Sequence, residues 1–132
     1  MRQTKNSALA VAAVFGFTGV ALGAFGAHGL QSSLSAEALG WWHTGVEYHL
    51  VHAVVLVAIA LGLRPSRSRT LAWGALSLGV VLFSGSLYVL ALSGQRAWGA
   101  VTPVGGVLFL VGWVSLGWAG WKAPLYKDPG DR

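Results

Sequence analysis

Residues 47–52 read Glu-Tyr-His-Leu-Val-His, and their side chains are the ones in this chain best equipped for chemistry. A carboxylate with imidazoles suits zinc or a similar ion, two imidazoles on different helices suit haem b, and a histidine near neutrality carries protons. Their position sharpens the question. The uninterrupted apolar run that follows, residues 53–63, has eleven residues, whereas a helix needs roughly 20 to cross a hydrocarbon core of about 30 Å. If this segment spans a bilayer, Glu47, His49 and His52 lie in or just under its surface. Ionisable groups at that depth are costly and usually find partners inside a bundle, which makes them default candidates for function. At 100° per residue, His49 and His52 stand about 60° apart, Tyr48 about 40° from His52, and Glu47 about 140° from it. One helix therefore cannot gather Glu47 and His52 into one ligand set. Other candidates come from elsewhere in the chain: His28 near the end of the first apolar run, Ser84, Ser86 and Tyr88 in the third, and Arg96 as a counter-charge for Glu47 or Glu37.

The elements that must position these groups are transmembrane helices. Of 132 residues 55% are hydrophobic and 10% charged, well below the roughly 25% charged of a soluble domain. With no cysteine, disulfides, thiolate metal sites and cysteine nucleophiles are excluded. The fold class is all-α: four transmembrane helices in one compact bundle, at about 7–27, 44–63, 70–92 and 101–121, with a tail at 122–132. The hydrophilic turn Arg64-Pro-Ser-Arg-Ser-Arg69 separates the second and third runs. Arg2, Lys5, Arg64, Arg67, Arg69, Lys122, Lys127 and Arg132 fall on one side and Arg96 alone on the other, so both termini are expected in the cytoplasm. The net charge of +5 is thereby read as membrane orientation, and nucleic acid is not an expected partner. Trp41, Trp42 and Trp98 would form an outer aromatic belt, and Trp73, Trp121 and Tyr126 an inner one. The first run has 21 residues, longer than the roughly 7–15 of a signal peptide's apolar region, and is expected to be retained. In the outer loop, Ser35 as cap, Glu37 in the first turn and Gly40 as a stop predict a short interfacial helix.

Small residues mark where helices should touch. Ala12, Gly16, Gly19, Gly23 and Ala27 form one stripe on the first helix; Gly105, Gly106, Gly112, Gly117 and Gly120 recur on the fourth, and Gly79 with Ser84-Gly-Ser86 on the third. Such positions let backbones approach closely in lipid. A weak internal echo, Gly19-Val-Ala-Leu22 against Gly79-Val-Val-Leu82 and Thr44-Gly-Val46 against Thr102-Pro-Val104, suggests two related hairpins. Gly105-Gly106 would then be a notch able to receive the groups of Glu47-Tyr48.

Four blocks in order carry a family resemblance: Gly23-Ala-Phe-Gly-Ala-His-Gly29, Thr44-Gly-Val-Glu-Tyr48 with His52, Leu82-Phe-Ser-Gly-Ser-Leu-Tyr88, and Thr102-Pro-Val-Gly-Gly106. From about Ala8 to Trp121 the chain resembles uncharacterised protein family 0382, also called domain of unknown function 423, and is similar to eukaryotic transmembrane protein 256. The resemblance implies a four-helix protein of the bacterial inner membrane. It implies no activity, cofactor or catalytic residue. His43 and His49 look less typical of the family blocks than His28, Glu47, Tyr48 and His52.

Three readings stay open on the sequence. In the first, Glu47, Tyr48, His52, Ser84, Ser86 and Tyr88 form an interhelical hydrogen-bond network, and the protein is a small structural or accessory component, self-assembled or part of a larger membrane complex. In the second, Glu47 and His52 are stations for proton or small-solute permeation, against which stands the near absence of polar residues in the lower half of the segments. In the third, His28, His49, His52 and Glu47 hold a metal or haem. No catalytic motif is found: there is no Ser/His/Asp order and no paired intramembrane carboxylates, and Gly26-Ala-His-Gly29 lacks the lysine of a phosphate loop. The expectation is a membrane-embedded, non-enzymatic protein with the lipid bilayer as its first partner and no resident cofactor.

Overall fold

The computed structural model describes residues 6–122. The cations Arg2, Lys5, Lys127 and Arg132, together with Tyr126, lie outside the described residues. Five α-helices follow in order: α1 Ser7–His28, α2 Ala36–Gly62, α3 Arg67–Gly79, α4 Gly85–Ser93 and α5 Thr102–Lys122. A π-helical turn, Val80–Ser84, joins α3 to α4, and a 3-10 turn, Arg96–Ala100, precedes α5. These elements make four spans long and apolar enough to cross a bilayer: Ser7–His28, Ala36–Gly62, Arg67–Ser93 and Arg96–Lys122. Among the described residues there is no β-strand, and each helix satisfies its own backbone, as a lipid setting requires of a span outside a closed barrel.

The helix ends follow from local chemistry. Asn6 accepts the Leu9 N–H at the start of α1, Ser35 the Ala38 N–H at the start of α2, and Ser66 the Arg69 N–H at the start of α3. These caps satisfy donors that a first turn leaves unpaired. The carbonyls at the far end of α2 are met from two sides: Arg69 donates to Ile59 O at 3.3 Å and Ala60 O at 3.4 Å, and Asn6 Nδ2 donates to Ala60 O at 3.3 Å. Gly94, at φ +67°, closes α4 in the left-handed conformation that glycine adopts without strain.

Two expectations about the first turns of α2 need correction. Gly40 does not stop a separate interfacial helix. The Ser35 cap opens a continuous α2 of 27 residues, about 40 Å long, because the exposed glycine merely lowers local propensity while Ala38, Trp42, Gly45 and His49 on either side of it are buried along one face. Trp42 is not part of a belt either: it is buried, and its indole N–H donates to Leu22 O at 2.9 Å. The added carbon of an alanine at Gly26 would stand 2.5 Å from that indole nitrogen.

α1 packs along α2, α3 along α5, and α2 against α4 and the π turn, so α2 is the central helix. The deep core is apolar, built from Ala12, Leu56, Ile59, Leu76, Val80 and Phe109. A second cluster at the other end joins Leu30, Ala38, Trp42 and Ala91. Glycines set the close approaches, though not all of those expected. Gly19 lies under Leu50 and His49, Gly23 under Val46, Gly112 under Leu76, and Gly105 against the backbone of Phe83. Gly16, Gly117 and Gly120 have open space where a side chain would stand, and Gly106 has only ordinary contacts, which corrects their assignment as packing residues. The notch at Gly105 is filled by Phe83 of the π turn, not by Glu47-Tyr48.

Replacing Gly105 or Gly112 by alanine should therefore lower stability in detergent by about 1–3 kcal/mol, the usual cost of overpacking. Gly117→Ala should be neutral or slightly stabilising through helix propensity. Thermal unfolding of the three variants checks this, and equal effects would contradict the close approach of α5 to α3 and the π turn.

Candidate functional site

The side chains that converge are the two histidines three residues apart on α2. Burial follows from helical periodicity: His49, His52, Ala53, Leu56, Ile59 and Ala60 face inward, while Glu47, Val51, Val54, Ala58 and Leu61 face outward. His49 is 5% exposed and His52 4%, so both imidazoles must find their partners within the protein.

His49 sits among three helices. Its Nδ1 is 3.1 Å from the Tyr88 hydroxyl on α4, and its Nε2 is 3.3 Å from Thr18 Oγ1 on α1. The Phe15 ring meets it edge-on, with centroids 5.9 Å apart. The direction of the bonds can be derived. Thr18 has one hydroxyl proton, and its oxygen lies 2.9 Å from Val14 O and 3.1 Å from Phe15 O; those carbonyls only accept. With that proton given to the backbone, Thr18 accepts from His49 Nε2–H, and the bare Nδ1 accepts from Tyr88 O–H. The result is a directed chain from α4 through α2 to α1.

His52 resolves the other way. Its Nε2 is 3.2 Å from the indole nitrogen of Trp113 on α5, a group that only donates, so Nε2 carries no proton. Its Nδ1–H then donates to Tyr48 O at 2.7 Å, one turn back on its own helix. The ring stacks on Phe109 of α5, centroids 3.7 Å apart and planes 9° apart. Every nitrogen of the pair is thus satisfied with both rings neutral. A third polar link, Ser86 Oγ to Thr102 Oγ1 at 2.8 Å, ties α4 to the start of α5.

The remaining sequence candidates are placed differently. Glu47 is exposed on the outward face of α2, as the 140° offset required, and it does not join the histidines. His28 is exposed at the end of α1, about 200° around the helix from Gly26, which meets Trp42 of α2. Tyr48 contributes its carbonyl and its ring, which packs on Phe83 with centroids 4.5 Å apart, while the residue stays 42% exposed. Ser84 is buried in the π turn with its hydroxyl unpartnered among the described residues. Arg96 is exposed on the 3-10 turn and is not bonded to Glu47 or Glu37. Among the described residues no three of His, Cys, Asp and Glu come together around a possible metal position.

Sequence reasoning missed Thr18, Trp113, Thr102 and Phe109. Thr18 carried a usable signal, being the sole hydroxyl or charged residue between Ser7 and His28. Trp113 carried none, because a tryptophan within an apolar run reads as lipid-facing until its neighbour is known.

Comparison with known proteins gives a consistent result. Residues 22–106 match the family model described as protein of unknown function DUF423. A UPF0382 membrane protein of Haemophilus influenzae is 45% identical over 120 residues, covering 90% of this chain and 97% of its own. The UPF0382 inner membrane protein YgdD of Escherichia coli is 49% identical over 112 residues, covering 83% and 86%. The UPF0382 membrane protein YwdK of Bacillus subtilis is 45% identical over 100 residues, covering 74% and 81%. No solved structure matches.

The derived bonding makes two checkable statements. Long-range nitrogen NMR of the histidine-labelled protein should show His49 as the Nε2–H tautomer and His52 as the Nδ1–H tautomer; one shared tautomer would contradict the assignment. Tyr88→Phe and Thr18→Val should each lower stability by about 0.6–2 kcal/mol, the usual worth of a bond between helices in a membrane. His52→Ala should lower it further, since it strands the Trp113 N–H and removes the Phe109 stack.

Proposed function

The chain belongs to the DUF423 (UPF0382) family of integral membrane proteins, and from that premise we propose that it is a small structural or accessory component of the bacterial inner membrane. In this reading the α2 histidines hold the bundle together and the outward face of α2 docks a second membrane-embedded surface, from another copy or another subunit. One observation carries it: the groups best suited to chemistry are spent on internal bonds, while the carboxylate that a bilayer tolerates least has no described partner. From Glu47 to Gly62 α2 has sixteen residues, about 24 Å, short of the roughly 30 Å core. Glu47 therefore lies below the surface on the same outward stripe as Val51, Val54 and Ala58. Intramembrane carboxylates usually face a bundle interior, and a docked neighbour would give Glu47 one.

Permeation and the binding of a metal or haem by the histidines are less favoured. The hydrogen-bonded chain ends at Thr18 and the Val14 and Phe15 carbonyls, and the apolar cluster around Leu56, Leu76 and Val80 fills the bundle beyond it. A non-enzymatic role follows from the same reading. For orientation, Arg64, Arg67, Arg69 and Lys122 at one end of the described bundle, against Arg96 at the other, favour cytoplasmic termini by the positive-inside rule.

The absence of native cysteine makes the docking face directly testable. Single variants Val51→Cys and Val54→Cys, oxidised in native membranes, should form disulfide-linked species, either with themselves or with a second protein trapped by a bifunctional reagent. Leu110→Cys and Val114→Cys, exposed on α5, should not. Monomer alone at both α2 positions would end the docking reading.

A further inference from the structure

The end of the bundle remote from Glu47 carries a different arrangement. Here α2 stops at Gly62, α3 begins at Arg67 and α5 ends at Lys122. Between them lies a pocket of about 320 Å³ whose lining includes Arg64, Ser66, Ser68 and Lys122. All four cations of the described spans and turns other than Arg96 sit at this end, while the two described carboxylates, Glu37 and Glu47, lie toward the other. Arg69 is committed to the α2 carbonyls, so it adds to the local potential without occupying the pocket. The α3 N-terminus also opens here, and its first N–H groups and positive dipole end favour an anion.

Ser68 lines a second cavity as well, an apolar groove of about 580 Å³ along α3 and α5 with Leu71, Val114, Trp118 and Trp121. Its floor is open at Gly117, where an added side-chain carbon would meet nothing within 4 Å. Ser115, nine-tenths buried, also lines it. The Lys122 ammonium stands 4.7 Å over the Trp118 ring, at the junction of the cationic pocket and the groove.

From this juxtaposition of a cationic pocket with an apolar groove leading away from it, we infer that the Arg64–Lys122 end is a binding site for an anionic phospholipid. The phosphate lies between Arg64 and Lys122 at the α3 N-terminus, and one acyl chain follows the groove past Trp118. A soluble phosphate uses the pocket and leaves the groove empty. A zwitterionic lipid brings its own ammonium into a cluster of cations. Cation-rich pockets between helices at a membrane face are known to take acidic headgroups, and the contribution of each cation near the surface predicts about five-fold in affinity.

The test is native mass spectrometry of the purified full chain in detergent, titrated with phosphatidylglycerol and with phosphatidylethanolamine. Phosphatidylglycerol should be retained preferentially. Arg64→Gln and Lys122→Gln should each weaken it about five-fold, and Arg96→Gln at the opposite end should leave it unchanged. Gly117→Leu, which fills the groove without altering charge, should also weaken binding, with Trp121→Ala as a second groove variant; circular dichroism confirms that each remains helical. Equal retention of the two lipids would overturn the proposal, as would an Arg96→Gln effect as large as that of Arg64→Gln. Displacement of the lipid by inorganic phosphate or glycerophosphoglycerol at equal concentration would overturn it in favour of a soluble-anion site.

Discussion

In a bilayer, apolar side chains gain little by leaving lipid for one another. Helix positions here therefore depend on a few directional contacts, and the most demanding of them are the hydrogen bonds of His49 and His52. Each imidazole has two nitrogens that must be matched as donor and acceptor, so each fixes its neighbours in register as well as in distance. His49 fixes α1 and α4 around α2, and His52 fixes α5. No pair of leucines imposes comparable constraints.

Close contacts complete what the hydrogen bonds begin. The π turn at Val80–Ser84 places the Phe83 backbone against Gly105 and its ring against Tyr48 and Phe109. π-helical turns recur where a helix must redirect side chains, and this one lies where α3, α4, α2 and α5 meet. On the other side, Gly19 and Gly23 let α1 settle on His49, Leu50 and Val46, which brings Thr18 within reach of the imidazole. Polar matching and glycine contacts are thus one construction: without the small residues the hydroxyl and the ring stand too far apart to bond.

The same economy explains the distribution of charge. With both buried histidines bonded on each nitrogen, the formal charges among the described residues lie at the ends of the bundle and at Glu47. The cationic end and the carboxylate face have different requirements. Arg64 and Lys122 can meet water or an acidic headgroup where they stand, whereas Glu47 stands on an outward face of α2 among Val51, Val54 and Ala58.

The sequence by itself determined the class, the number of spans and the family, because each rests on hydropathy, helix length and residue order, which are local quantities. It also determined that Glu47 and His52 point apart, since that follows from 100° per residue. It did not determine which side of α2 is inside. His49, the less typical of the pair against the family blocks, proved as buried as His52, and His28 and Glu47 proved exposed. Trp42 left the expected belt for the core, Gly40 did not end a helix, and Gly16, Gly117 and Gly120 turned out to face open space. Only tertiary structure decided these points, because a bilayer-spanning sequence is apolar on every side and its pattern does not distinguish a helical neighbour from lipid. Thr18 and Trp113 became partners of the histidines through the packing of α1 and α5, 31 and 61 residues away along the chain.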